Sequence, residues 1–371
     1  MVRKGMQDRK TVLCITALPP PITGVSVASE AIISHLKKRY CVDVVNYARG
    51  NLVSGTFSLR QFLNIISQGL RIIKLKGKAE YVYLAISSTF WGNLRDLFFL
   101  FLLGKEKRKN TVLHLHTGVL DRYLSSCPNW VKILNRKLLG DVKAAIVLGE
   151  SHAHAFGQYL SQDKVKITKN GVGRELFIPE ELLMKKYGKI EKINLLYLSN
   201  LMPEKGYEVL LDAYLSLSSN LREKTVLHFA GYFYDEFKKE KFLNTIKKEP
   251  NIFYHGPVSG GEKARLLRDA HIYCFPSYYY YEAQPIGILE AYASGCIVLT
   301  TNHGGIRDIF QDKVNGIWVE PRDIEGLRKN LELLILNIDK YKGYGFFNRR
   351  ECAPKYTIER CCQEVEEVIN L

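Results

Sequence analysis

The chain has 371 residues, 46% of them hydrophobic and 25% charged, which is the composition of a soluble globular protein long enough for two domains. Residues 1–10 contain no apolar core, and the longest apolar run, residues 97–103, falls far short of the roughly 20 residues that span a bilayer. We therefore expect a cytoplasmic protein that is at most peripheral at the inner face of the plasma membrane. The eight cysteines include no Cys-x-x-Cys pair, which predicts free or buried thiols and no metal site.

The net charge of +15 is distributed unevenly. Residues 1–180 hold 27 Lys and Arg against 12 Asp and Glu, whereas residues 181–371 hold 26 of each. Charge of one sign on one half suggests an anionic partner, such as anionic lipid, a diphosphate-linked substrate or nucleic acid, although a generic solubilising surface is also compatible. Because no nucleic-acid recognition motif is present, we expect no nucleic-acid partner.

Short apolar runs alternate with helical stretches in the first half. Strands are predicted at residues 11–18, 42–46, 81–86, 111–116 and 142–148, and helices at 25–38 and 59–74. Repeated strand–helix units of this kind imply an α/β domain, a parallel sheet covered on both faces.

The second half repeats this plan. Strands are predicted at residues 193–198, 225–230, 252–254, 272–275 and 296–300, and helices at 208–217, 262–268 and 285–293. The polar, irregular segment 171–191 separates the two blocks and marks the domain boundary. Ligands of such sheets bind at the carboxyl ends of the strands, so the site is expected in the cleft between the domains.

Two acidic residues stand at one of these strand-to-helix turns. Glu282 is expected in the loop and Glu290 in the helix that follows, so their carboxylates lie about 10 Å or less apart. Carboxylates accept paired hydrogen bonds from vicinal hydroxyls, and the intervening helix N-terminus offers N–H groups to a diphosphate. Lys205, near another strand end, could neutralise phosphate.

These motifs resemble the donor site of family-4 glycosyltransferases, which are retaining enzymes of the GT-B fold. The resemblance rests on Glu282 and Glu290, the small-residue strand 293–298, Gly304-Gly305 and Lys205-Gly206, with Asn170-Gly171-Val172 and Asn315-Gly316 in the expected order. It implies two Rossmann-like doubly wound domains facing across a cleft. The acceptor-side domain would cover residues 1–175 and the donor domain 176–350, with a C-terminal helix in 351–371 packing back toward the first domain.

The resemblance also implies roles for individual residues. Glu282 would contact the donor sugar, Lys205 the phosphates and Glu290 the ribose, while His116 would lie beside the donor sugar and the acceptor. These roles make His116, Glu282 and Lys205 the expected catalytic residues. The expected donor-binding residues are Gly24, Asn200, Lys205, Glu282, Ala283, Gln284, Pro285, Ile286, Gly287 and Glu290.

The sequence departs from the family at three places. Asn200 stands where the family often has Arg, so one phosphate-neutralising charge is missing or comes from elsewhere. Ala283 replaces a Gly, which is tolerable unless the backbone there needs a positive φ. Thr23 replaces the first of two glycines in the loop that precedes Gly24.

His114 and His116 lie on the same face of a predicted strand. His116 is nearer the strand's carboxyl end and takes the family role, whereas His114 is expected to be a buried structural residue. Neither has metal-ligand spacing with other residues, so no zinc site is expected.

Together these features predict a metal-independent hexosyltransferase that acts in cell-surface polysaccharide biosynthesis, of the capsule or O-antigen type. It would use no cofactor beyond a nucleotide-sugar donor, UDP-sugar being favoured over GDP-sugar, and a glycan or polyprenyl-diphosphate-linked acceptor. No carboxylate nucleophile is evident, which favours front-face attack over double displacement. The alternative is a sugar-nucleotide epimerase or hydrolase of the same architecture, which would lack an acceptor site.

Two basic, apolar stretches in the first half could lie on an anionic membrane. They are residues 60–78 and 97–109. Alternatively, their apolar faces simply cover the sheet.

Overall fold

The computed structural model describes residues 9–20, 23–48 and 59–371, and the chain forms two compact units. The first unit comprises the chain up to Gly171 together with Ile358–Leu371, and the second comprises Val172–Thr357. Among the described residues, no helix is long and apolar enough to cross a bilayer.

Each unit contains a six-stranded sheet whose paired strands are all parallel. The first sheet has the order β2-β1-β3-β4-β5-β6 and the second the order β12-β11-β10-β7-β8-β9. The strands are β1 (Thr11–Thr16), β2 (Cys41–Asn46), β3 (Tyr81–Ile86), β4 (Thr111–Leu115), β5 (Ala144–Val147), β6 (Val165–Ile167), β7 (Ile193–Leu198), β8 (Thr225–Ala230), β9 (Ile252–Tyr254), β10 (Ile272–Phe275), β11 (Ile297–Thr301) and β12 (Gly316–Val319).

Helices join the strands and cover both faces of the first sheet. In chain order they are α1 (Gly24–Leu36), α2 (Leu59–Lys76), α3 (Phe90–Leu103), α4 (Lys105–Arg108), α5 (Leu120–Ser126), α6 (Asn129–Leu139), α7 (Glu180–Lys186), α8 (Tyr207–Leu215), α9 (Ser219–Glu223), α10 (Glu236–Ile246), α11 (Gly260–Asp269), α12 (Ile286–Ala293), α13 (Ile324–Leu336), α14 (Ile338–Phe347) and α15 (Ile358–Asn370). Helices α2, α3, α5 and α6 contribute to the core on one face of the first sheet, and α1 and α15 to the core on the other.

This architecture confirms the predicted α/β fold with two doubly wound sheets. One edge strand of each sheet was not predicted: β6 in the first sheet and β12 in the second. The short strand β6 contains Lys166 and is only half-buried, and β12 begins at Gly316, which the sequence favours as a turn. Edge strands bury less apolar surface than central ones, so their hydrophobic signal is weak.

The segment that was predicted to be an irregular boundary, residues 171–191, is in fact packed into the second unit. It forms α7, and Leu183 and Tyr187 are buried. The Tyr187 hydroxyl lies 2.8 Å from the Gly295 carbonyl oxygen and 3.1 Å from that of His271. The unit therefore begins at Val172, four residues before the predicted limit.

The last helix also begins later than predicted, at Ile358 instead of residue 351. Residues 348–357 belong to the second unit, and the buried Asn348 amide links this segment to the backbone of that unit. Asn348 Nδ2 donates to the carbonyl oxygens of Cys296 and Asn315, both at 2.8 Å, and Asn348 Oδ1 accepts from Asn315 Nδ2 at 2.7 Å. Helix α15 then packs in the first unit, where Glu366 lies 2.7 Å from His35.

Replacing Asn348 with Ala should remove the side-chain donor of the Cys296 carbonyl oxygen and the acceptor of the buried Asn315 amide, while the Asn315 carbonyl oxygen keeps the Val298 N–H as a donor. We expect the free energy of unfolding to fall by about 2–4 kcal/mol, which chemical denaturation can measure. The matched control is Asn337→Ala, where an exposed amide bonds Leu333 and the loss should stay below about 1 kcal/mol. Equal losses for the two variants would contradict this role.

Candidate active site

The predicted donor-side residues of the second half lie at the carboxyl ends of adjacent strands. Lys205 follows β7, Glu282 follows β10, and a 3-10 turn at Gly304–Asp308 follows β11. Because β7, β10 and β11 are neighbours in one parallel sheet, these three loops emerge at the same edge. The structure thus brings together donor residues that are far apart in the sequence.

Lys205 and Glu282 form a buried ion pair. Lys205 Nζ lies 2.7 Å from Glu282 Oε2, and the side chains are 15% and 6% exposed. The Ser277 hydroxyl donates to the same carboxylate oxygen at 2.8 Å. Lys205 Nζ also lies 4.4 Å from the centre of the Tyr279 ring, so two types of interaction hold the ammonium group in place. The sequence did not point to Ser277 or Tyr279, since neither belongs to a spaced motif.

Two glycines allow the loops to approach this pair closely. Gly206 has a φ of +84°, and a Cβ there would lie 2.2 Å from the Pro276 carbonyl oxygen. Gly304 has a φ of +53°, and its Cβ would lie 2.3 Å from the Glu282 carbonyl oxygen. The Gly305 N–H donates to that same oxygen at 3.2 Å, which ties the turn after β11 to the backbone of Glu282. Only glycine fits these positions without strain.

Helix α12 begins at Ile286, four residues after Glu282, and its N-terminus lies at the same edge of the sheet. Pro285 is the N-cap and supplies no side-chain capping bond. The first N–H groups of a helix have no partner within the helix, so this terminus suits an anion. Gly287 in the first turn lies so close to Tyr273 that a Cβ would stand 2.2 Å from the hydroxyl oxygen.

Ala283 and Asn200, the two departures from the family pattern on this side, both fit the loops. The non-glycine residues with positive φ in the described part of the chain are Lys313 and Arg322, so the methyl group of Ala283 carries no such strain. Asn200 lies after β7, and its amide nitrogen is 3.3 Å from the Tyr234 hydroxyl oxygen. An uncharged amide there leaves Lys205 as the cation beside Glu282.

Glu290 lies within α12, is buried, and also contacts a cation. Lys263 Nζ, from α11, lies 2.6 Å from Glu290 Oε1. The sequence gave no signal for Lys263, because it sits in a helix with four other charged residues and no recognisable motif. Both carboxylates of the Glu pair thus contact a lysine. A carboxylate can also accept hydrogen bonds from the hydroxyl groups of a ligand.

The predicted residues of the first unit lie at the carboxyl edge of its own sheet. Gly24 is the first residue of α1, and the preceding Thr23 is the N-cap. Thr23 and Ser26 cap one another, with the Ser26 N–H 3.2 Å from Thr23 Oγ1 and the Thr23 N–H 2.8 Å from Ser26 Oγ. Residues 21 and 22 of this loop lie outside the described residues. Thr23, which replaces the first family glycine, therefore fixes the start of α1.

His116 follows β4 and stacks on His114, with ring centroids 3.9 Å apart. His114 is fully buried, and its Nδ1 lies 2.7 Å from the Tyr83 hydroxyl oxygen. Burial lowers the pKa of His116 to about 4 and holds the pKa of His114 well below its usual value. His116 is therefore neutral near pH 7, and its buried Nε2 has no hydrogen-bond partner within the described residues. Such an atom suits a hydrogen bond to a ligand.

No group of three or more His, Cys, Asp or Glu side chains in the described ranges has the geometry to hold a metal ion. The cations that contact the two carboxylates of the second-unit site are Lys205 and Lys263.

Comparison with known proteins finds similarity to glycosyltransferases. Residues 180–346, within the second unit, match the family model of glycosyl transferases group 1. Among curated proteins, the chain is 25% identical to the uncharacterized glycosyltransferase MJ1607 of Methanocaldococcus jannaschii over 57% of the chain and 55% of that relative. It is 23% identical to an uncharacterized 41.2 kDa protein in the cps region of Klebsiella pneumoniae, over 78% of the chain and 77% of that relative. The match thus spans little more than half the length of the first of these relatives.

Solved structures share the fold of the whole chain. The Anabaena protein Alr3699/HepE, in complex with UDP and glucose, superposes with a TM-score of 0.73 at 15% identity, covering 97% of this chain and 99% of that one. Sucrose-phosphate synthase of Thermosynechococcus elongatus gives a TM-score of 0.76 at 13% identity, covering 98% of each chain. The chain therefore shares the fold of these solved structures, and residues 180–346 of its second unit are similar to the glycosyl transferases group 1 family.

The replacement Lys205→Met should leave the Glu282 carboxylate buried without its cation. We expect the free energy of unfolding in urea, followed by circular dichroism, to fall by about 3 kcal/mol. The double variant Lys205→Met/Glu282→Gln removes both charges and should recover most of this loss. The control is Lys239→Met, which breaks an exposed pair with Glu236 and should cost less than about 1 kcal/mol. A Lys205→Met loss no larger than that of the control would show that the pair is not a buried, coupled one.

Proposed function

We propose that this protein is a retaining, metal-independent hexosyltransferase. It moves a sugar from a nucleotide-sugar donor to a glycan or polyprenyl-diphosphate-linked acceptor. The observation that carries the proposal is the Lys205–Glu282 pair, which lies before the N-terminus of α12, the helix that contains Glu290. The Lys205 ammonium group and the helix N-terminus suit the phosphates of one donor molecule. The carboxylates of Glu282 and Glu290 suit its sugar and its ribose.

In the proposed mechanism, the donor diphosphate takes the place of Glu282 as the main partner of Lys205. The freed Glu282 carboxylate accepts hydrogen bonds from the donor sugar, with Ser277 keeping it in position. Lys205 and the first N–H groups of α12, around Ile286 and Gly287, stabilise the negative charge that develops on the leaving diphosphate. This stabilisation takes the role that a divalent cation plays in other transferases.

Retention of configuration is proposed through front-face attack. In the proposed donor complex, Glu282 accepts hydrogen bonds from Ser277 and from the donor sugar, and Glu290 is assigned to the ribose, so neither carboxylate is assigned the role of nucleophile. The neutral His116 of the first unit is assigned a hydrogen bond to a hydroxyl of the reacting sugars through Nε2. Its lowered pKa argues against a role as a charged acid near pH 7.

The donor is proposed to be a UDP-sugar, in preference to a GDP-sugar. The similar fold of Anabaena Alr3699/HepE, which was solved in complex with UDP and with UDP-glucose, supports this preference. The relative in a cps region supports a role in capsule or O-antigen assembly. The lipid-linked acceptors of such assembly are built at the inner face of the plasma membrane, and we place the enzyme there.

The proposal predicts that one nucleotide sugar from a panel of UDP-, GDP- and ADP-sugars binds and is slowly hydrolysed. Glu290→Ala should weaken its binding by roughly 10- to 100-fold, because hydrogen bonds to a charged group contribute about 1.5–3 kcal/mol. Calorimetric titration measures the affinity. The matched control is Glu249→Ala, since Glu249 also pairs with a cation in the second unit, Arg222, at 2.8 Å.

Equal affinity of wild type and Glu290→Ala would remove Glu290 from the donor site. Failure of every nucleotide sugar to bind would contradict the transferase. Rapid turnover of a donor that no glycan or lipid-linked acceptor accelerates would favour the epimerase or hydrolase alternative.

A further inference from the structure

Helix α2 turns its apolar residues toward solvent. Leu59, Phe62, Leu63, Ile66, Leu70 and Ile73 are between 38% and 74% exposed. Their spacing of three or four residues places them within an arc of about 100° on the helix. The buried side of α2 carries Gln68, Gly69 and Ile72 instead. The apolar stripe of this helix is therefore not the face that covers the sheet.

Packing against α3 and β2 fixes α2 in this orientation. A Cβ on Gly69 would lie 2.8 Å from Leu102 and 2.9 Å from Phe98, so the two helices meet closely at this glycine. Lys76 Nζ donates to the Leu102 carbonyl oxygen, and Arg71 donates to that of Val44 at 3.3 Å. The stripe cannot rotate inward without breaking these contacts.

The stretch 97–109, which the sequence offered as a second membrane contact, behaves differently. Leu97, Phe99, Leu100 and Leu103 are buried in the core of the first unit. Most apolar residues of this stretch therefore cover the sheet, and Phe101 stands exposed without forming a stripe like that of α2.

Exposed aromatic residues lie at the starts of α3 and α6, on the same side of the sheet as α2. Phe90 and Trp91 begin α3, and Trp130 lies in the first turn of α6. The Phe90 ring centroid is 5.3 Å from that of Trp91 and 6.5 Å from that of Trp130. We call these three residues the aromatic cluster. Tryptophan in particular favours the interface between hydrocarbon and water.

The charges on two helices of this layer, α2 and α6, have one sign. Helices α2 and α6 together contain seven Lys and Arg and no Asp or Glu. Helix α15, on the opposite face of the sheet, contains four Glu. The first unit as a whole has a net charge of +13 and the second one of +2. The positive charge therefore accompanies the apolar stripe.

The aromatic cluster lies next to the loops that carry His116. Ser88, two residues before Phe90, has its hydroxyl oxygen 2.5 Å from that of Thr117, the residue after His116. The surface thus continues to the carboxyl edge of the first sheet, where the proposed acceptor-side residue lies.

We infer that the outer face of α2, together with the aromatic cluster, docks on an anionic lipid bilayer. The apolar stripe enters the interface, the aromatic rings anchor it, and the flanking Lys and Arg side chains bind lipid phosphates. Two copies of so basic a face would repel one another, which disfavours a dimer through it. The docking itself does not depend on the proposed transferase, but it would place His116 beside a lipid-linked acceptor.

The test is binding of the full chain to extruded vesicles of phosphatidylcholine alone or with about one third phosphatidylglycerol, at low and high salt. Two of the three tryptophans lie in the aromatic cluster, so their fluorescence reports insertion, and co-sedimentation measures the bound fraction. We expect binding to the anionic vesicles only, weakened by salt. The variant Leu63→Ser/Leu70→Ser should lower the partition coefficient by about tenfold or more.

A matched control removes two exposed apolar side chains elsewhere. Leu182→Ser/Met184→Ser changes α7 in the second unit and should bind vesicles like wild type. A second pair of variants tests the contribution of charge apart from that of apolar contact. Lys74→Glu/Lys137→Glu should abolish the preference for anionic vesicles, whereas Lys185→Glu/Lys189→Glu should retain it.

Two results would overturn the inference. One is equal vesicle binding by wild type and Leu63→Ser/Leu70→Ser, or none by either. The other is a dimer in sedimentation analysis that the same double variant dissociates, because a second copy would then cover the stripe. The double variant should still bind the nucleotide sugar in free solution, so failure of docking and failure of the donor site can be told apart.

Discussion

The buried ion pair between Lys205 and Glu282 is the constraint on which the proposed donor site depends. Two charges removed from water are costly, and at 2.7 Å they compensate one another only while the loops hold them together. The surrounding features serve that geometry: Gly206 and Gly304 permit close backbone approach, and Ser277 binds the carboxylate. In the proposed function, the donor diphosphate replaces Glu282 beside Lys205, so the pair lies where the donor would bind.

The parallel sheets explain why the functional residues gather where they do. In each unit the strands run in one direction, so the loops after them meet at one edge, and helix N-termini point to that edge. The second unit uses the edge for Lys205, Glu282 and α12, and the first uses it for His116 and the start of α1. In the first unit, α2 and α6 on one side of the sheet carry Lys and Arg and no Asp or Glu, whereas α15 on the other side contains four Glu.

The sequence predicted the central elements well because their signals are local. Strands β3, β7, β8, β9 and β10 have the predicted limits, since apolar runs bounded by polar turns define buried parallel strands. Lys205, Glu282 and Glu290 could be named because they sit in an ordered set of motifs. Lys263 and Ser277 could not, since their roles depend on which loops meet at the sheet edge. Nor could periodicity show that the apolar stripe of α2 faces outward, because the same pattern normally marks the face that covers a sheet.

The most direct test of the account is a crystal structure of the protein with UDP bound. We expect a diphosphate oxygen within hydrogen-bonding distance of Lys205 Nζ and of the first N–H groups of α12. We also expect the ribose hydroxyls to donate hydrogen bonds to the Glu290 carboxylate. Lys205 should then have moved toward the phosphates, away from its 2.7 Å contact with Glu282. A nucleotide bound elsewhere, with the Lys205–Glu282 and Lys263–Glu290 pairs unchanged, would contradict the assignment of this edge as the donor site.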